Sequence, residues 1–283
     1  MTERSTVPEY LALLRHRAGP ERDAAWVDVY EAAHPEIFAV YYSAWGDRAA
    51  IPTAAGLVEA QAAVVRRRER ETSRAVATVS RRLRRLGLAD LDIPLVMLVG
   101  GHSANGWVAD LEGEPALFIA LEHLDDSPGD VVLAAHEAAH VVHRRLSPTF
   151  DTGAFAGRLV AEGVALAVSR MVVTDASDSE CFYFDQAHPG WAADCRAARH
   201  RIAALVRGAE AGADRELESL FDLRPAPGVP PRAGYWLADQ VVGPRASTPE
   251  AAREVMTWTD AEARAHVARV SDELFAAWED GAG

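Results

Sequence analysis

Lysine is absent from this chain of 283 residues, and all 29 basic residues are arginine, a compositional bias to which no mechanism attaches. Cysteine is nearly absent too. Cys181 and Cys195 lack the paired spacing of a structural metal site, so free thiols are expected rather than a disulfide in a reducing compartment. No run of about eighteen apolar residues occurs, which argues against a membrane-spanning helix. Met1 to Tyr10 lack the basic start and apolar run of a signal peptide, so a cytoplasmic location is expected. Positive charge is outweighed, with a net formal charge of -13, and this disfavours nucleic acid or an anionic membrane as a partner. No internal repeat is found. What remains is a globular composition. A hydrophobic content of 49% is ample for a core, in one large domain or two small ones.

The rest of the chain is organised around Val131 to Arg145, which contains His136-Glu137-Ala138-Ala139-His140. On a helix, residues i and i+4 share a face, so the two imidazoles can share one metal ion with Glu137 just behind them. The spacing follows from zinc hydrolase chemistry: two His hold the ion, and a glutamate takes the proton of the attacking water. Ser127 is a natural N-cap, Pro128 suits the first helical position and Asp130 complements the positive helix end. Around the motif the helix is nearly all Val, Ala and Leu, which marks it as buried on most sides. A buried Glu between two buried His needs a partner, and one metal ion satisfies all three.

Catalytic zinc normally has three protein ligands and a water. His143 stands about 10 Å further along the axis than His136 and cannot reach the same ion. The better candidate is Glu162, the one ionisable residue inside the apolar stretch Leu159 to Val168. After a loop at Ser147-Pro148 and Thr152-Gly153, two such helices can pack antiparallel and bring Glu162 over the histidine pair.

His136-Glu137-x-x-His140 followed by Glu162-Gly163-x-Ala165 resembles the gluzincin metallopeptidases. More closely it resembles a bacterial zinc-dependent protease family known mainly as a domain of unknown function, with a Glu-Gly-x-Ala ligand helix and a later Arg-x-Gly-Tyr segment. The resemblance reaches from about Ile93 to Val242. It implies zinc ligation by His136, His140 and Glu162 with Glu137 as general base. Two departures stand out. Leu166 occupies the place of an Asp that orients a histidine in thermolysin-like members, and Ala238 replaces the last glycine of Gly-Tyr-x-x-Gly. In peptidases of that class a strand at the sheet edge pairs with the substrate backbone, and Ala116 to Leu121, with Ala116 and Phe118, is the candidate, an ordinary buried strand being the equal alternative.

Gluzincins also supply a Tyr or His to the oxyanion. Tyr235 is the first candidate here because it follows Pro231-Arg232-Ala233-Gly234 at a helix start and coincides with the family's Gly-Tyr. Tyr183, in an apolar run, and His188, in a loop, are the alternatives. Arg232 could hold a substrate carboxylate or an acidic neighbour.

Helical periodicity covers Val7 to Arg17, Pro20 to Ala33 and Leu57 to Leu86, the last ended by Gly87. The arginines of that third segment, from Arg66 to Arg85, read as a solvated face because Glu69 and Glu71 interrupt them. Phe38, Tyr41, Tyr42 and Trp45 read as packing. Strands are expected at Pro94 to Val99 and Ala116 to Leu121, with Gly106 to Ala109 between them. His102, Asn105 and His123, on the adjoining turns, read as satisfied surface residues. Further helices follow at about Trp191 to Arg207, Ala233 to Val242, Pro249 to Trp258 and Asp260 to Trp278, with Thr248 and Thr259 as caps.

The reading is an α+β, zincin-like fold, mostly helical, with a small sheet preceding the zinc helix. A helical region at 1–90 would precede a metallohydrolase core at 91–283, or the whole would form one compact domain. The expected function is zinc-dependent hydrolysis of amide bonds by a peptidase. The alternatives are an amidase or esterase on a small metabolite, or a non-catalytic zincin-like binding protein.

Overall fold

The computed structural model describes residues 2–208 and 217–281. It is a mixed α and β structure, and it divides into two compact units, Met1–Arg84 with Ala89–Val141, and Arg85–Leu88 with Val142–Gly283. No helix of the described residues is long and apolar enough to cross a membrane.

The first unit holds a four-stranded sheet of β1 (Glu3–Ser5), β2 (Leu95–Leu98), β3 (Gly106–Leu111) and β4 (Glu114–Ala120), in the order β1-β2-β4-β3. β1, β2 and β4 run parallel, and β3 returns antiparallel to β4 through a turn at Glu112 and Gly113, both with positive φ. β2 is buried along its whole length, as expected of a strand in the parallel part of a sheet. The short helices α1 (Val7–Ala12), α2 (Pro20–Ala25), α3 (Pro35–Ala44) and α4 (Ile51–Gly56) follow β1. Tyr10 of α1, Trp26 and Tyr30 of the helical turn Trp26–Glu31 that follows α2, and Phe38 and Tyr41 of α3 form an edge-to-face series of rings. The Tyr30 hydroxyl ties this series to the sheet end, donating to the Val99 carbonyl at 2.8 Å and accepting from the Val99 amide at 2.9 Å. The aromatic group around Phe38 and Tyr41 is therefore core, while Trp45 is exposed.

The long helix α5 (Val58–Arg85) buries Val65, Val76, Val79 and Leu83 along the expected stripe. Its arginines form the solvated face anticipated, several of them in ion pairs such as Arg67 with Asp126 and Arg84 with Asp92. The division expected near residue 90 is not where the chain separates. β1 hydrogen-bonds to β2 and so joins the first residues to the sheet, and the boundary falls inside the next helix, α6 (Gly129–Leu146). β1 had no sequence signal, because Glu3-Arg4-Ser5 is polar and only three residues long.

The second unit begins with the last residues of α6 and contains α7 (Phe155–Val172), α8 (Asp178–Tyr183), α9 (Trp191–Ala197), α10 (Arg199–Gly208), α11 (Ala233–Val242), α12 (Pro249–Val255) and α13 (Asp260–Glu279). Thr248 and Thr259 cap α12 and α13 through their side chains, as expected. α7 and α11 pack in close contact at Gly163, where an added Cβ would lie 2.6 Å from both the Ala238 carbonyl oxygen and Val242 Cβ. Only glycine admits that approach. The part of Ala238 that meets Gly163 is its backbone carbonyl. Arg170 of α7 pairs with Asp239 of α11 beside it. Cys181 and Cys195 are free and buried, and burial raises both thiols, Cys195 to about 12, which keeps them unreactive.

Candidate metal centre

α6 begins as its sequence directs. The Ser127 hydroxyl accepts from the Gly129 amide at 3.1 Å, and the Asp130 carboxylate accepts from the amides of Asp125 and Asp126. Burial raises the Asp130 carboxyl to about 6, against the pull of those amides. From Val132 to Ala139 every residue of the helix is buried, including His136 and Glu137. His140 is half-buried.

The two imidazoles meet edge to face, with ring centroids 4.8 Å apart, and their Nε2 atoms stand 3.1 Å apart. Two ring nitrogens bound to one tetrahedral zinc ion at about 2.0 Å each would be about 3.3 Å apart, so the pair is spaced as ligands of a single ion. Glu137 is 8% exposed on the same helix. Its Cγ lies beneath the start of β3, 3.3 Å from where a Gly106 Cβ would be, so a side chain at 106 would crowd the carboxylate arm.

In α7, residues 159–169 are buried except Glu162, which is half-exposed. His136 and His140 belong to the first unit and Glu162 to the second. Two imidazoles and a carboxylate are a donor set suited to zinc. His143 does not join that group. It is buried, and its ring lies against Phe150 at 4.8 Å.

Tyr235 is half-exposed in the first turn of α11, its ring against Phe221 at 5.5 Å. The preceding Gly234 leaves no room for a side chain, since its Cβ would meet the Phe221 ring at 2.8 Å. Arg232 caps α11 in the left-handed region with φ 60°. Its guanidinium lies over the rings of Tyr235, Tyr183 and Phe184, at 4.3, 5.1 and 5.4 Å. The sequence alone points Arg232 to a substrate carboxylate or an acidic neighbour, whereas the structure packs it on these rings. Tyr183 donates to the Pro231 carbonyl and stacks on His188, whose Nδ1 is 2.9 Å from Asp185.

One assignment is overturned. Ala116 and Phe118 do not lie on an edge, because β4 is bonded to β2 on one side and β3 on the other, and both side chains are buried. An apolar run such as Ala116 to Leu121 suits an interior strand, the alternative that the structure bears out. The strand beside the motif is β3, at the end of the sheet order, and Gly106 opens it against Glu137. A glycine opening a strand is a sign of close backbone approach. No model of a known protein family matches this chain, and no curated protein or solved structure matches it either.

Proposed function

We propose that this protein is a zinc-dependent hydrolase of amide bonds, with a zincin-like fold and a peptidase activity. The observation that carries the reading is the pair of Nε2 atoms 3.1 Å apart on a buried helix that also buries Glu137. His136, His140 and Glu162 would hold the ion. Zinc bound there would supply Lewis acidity toward a carbonyl and toward water. Glu137 takes a proton from the attacking water at its carboxylate and gives it to the leaving nitrogen.

Protein purified without a histidine tag is expected to retain zinc, and a chelator is expected to abolish hydrolysis that added zinc restores. Turnover of an unstructured protein in preference to small amides supports the peptidase, and the reverse preference assigns a small-metabolite amidase. A protein that takes up no zinc and is indifferent to chelation would end the proposal.

Tyr235 is assigned the hydrogen bond to the oxyanion that forms as water attacks. Tyr235→Phe is then expected to lower kcat by roughly 10- to 1000-fold with zinc content and Tm unchanged, since one such donor is worth about 1.4 to 4 kcal/mol. An unchanged kcat would remove Tyr235 from the reaction.

A further inference from the structure

A second group of metal-capable side chains lies wholly in the first unit. β2 and β4 are adjacent and parallel, with Leu98 opposite Ala120, so the segments leaving their carboxyl ends come together. That is where parallel sheets commonly place ligands. The segment after β2 carries His102, and the single turn after β4 carries Glu122 and His123. One donor atom from each lies within 4.8 Å of the others. The two imidazole rings meet edge to face at 5.4 Å.

The carboxylate is held for a task its neighbours leave unfinished. Glu122 Oε1 accepts from the amides of Gly100 at 2.8 Å and His102 at 3.3 Å, which fixes the group. Oε2 is buried and has no hydrogen-bond partner among the described residues. Arg68 makes no hydrogen bond to it. The Arg68 guanidinium is spent on the carbonyls of Leu121 and Glu122 and on Asp126. A buried carboxylate oxygen without a donor is costly unless a cation completes it.

The backbone also bends to present this cluster. His102 has φ 59°, a left-handed conformation that a non-glycine residue takes at an energetic cost, and such strain concentrates where a side chain must be aimed. Gln61, whose Oε1 accepts from the Tyr10 hydroxyl at 3.1 Å, places its side-chain nitrogen 3.4 Å from His102 Nε2 and so packs beside the ring. Gly100 and Gly101 before it fit against Tyr41, where a Cβ on Gly100 would stand 2.6 Å from the hydroxyl oxygen. The approach to His102 is thus fixed from both sides.

We propose that His102, Glu122 and His123 form a second divalent-metal site of zinc type, independent of the His136 pair. Two imidazoles and one carboxylate are the ligands, and the exposure of both histidines leaves the remaining positions to water. The site is open and solvent-facing, so it exchanges its ion readily.

Equilibrium dialysis and calorimetric titration with zinc ion alone test this in full-length protein carrying His140→Ala, so that only the second site is counted. One equivalent is expected to bind. Adding His102→Asn with His123→Ala is expected to remove it, asparagine being chosen because it tolerates the left-handed backbone. Glu122→Gln, which preserves shape, is expected to weaken binding at least tenfold and guards against misfolding of the double variant. Unaltered far-UV circular dichroism in zinc-free buffer accompanies each result. Absence of binding in the His140→Ala protein, or equal binding after substitution of the cluster, overturns the assignment.

Discussion

Glu137→Gln is expected to lower hydrolysis by on the order of 10²-fold or more while the protein stays folded and zinc-loaded. The side chain is 8% exposed and lies under the opening of β3, so its volume matters as much as its charge. Glutamine fills the same volume and can still donate and accept hydrogen bonds. It cannot take a proton from water at neutral pH. A loss of rate without loss of metal or stability therefore isolates proton transfer from ligation and from packing. Single-turnover rates and metal analysis of the same preparation measure it. Unchanged turnover would show that the motif is structural or that another group is the base, and simultaneous loss of zinc would make Glu137 a ligand.

The helices that carry the candidate chemistry, α6 and α7, were legible because they are long apolar runs with isolated ionisable residues. α12 and α13 were marked by their capping residues Thr248 and Thr259. What escaped the sequence depends on partners distant in the chain. Glu3-Arg4-Ser5 becomes a strand only because β2 lies open beside it. The order β1-β2-β4-β3 decides which strand is an edge, and no local pattern records that order. His102 and His123 looked like surface residues of two unrelated turns. They form a cluster because β2 and β4 are neighbours and end at the same level. Gly106 and Gly163 were visible as glycines, but the close approach that requires each is a property of packing.

His140→Ala is expected to lose the zinc held by α6, whereas His143→Ala is expected to keep it. The helix geometry decides between them. His140 follows His136 by four residues, a little over one turn, and the two Nε2 atoms are 3.1 Å apart. His143 stands about 10 Å along the axis from His136, beyond what a shared ion at about 2.0 Å from each nitrogen allows. It is 3% exposed and faces Phe150, so its replacement is expected to cost stability, on the order of 1 to 3 kcal/mol, without touching the ion. Removing His140 does the reverse. It takes one of three protein ligands from the ion and little from the core, since the residue is half-buried. Both substitutions are best made in protein already carrying His102→Asn and His123→Ala, so that the metal counted is that of α6 alone. Zinc content after dialysis and Tm together separate the two effects: metal lost with Tm little changed for His140→Ala, metal kept with Tm lowered for His143→Ala. Equal loss of zinc in both would refute the geometric exclusion of His143 and with it the ligand set His136, His140 and Glu162.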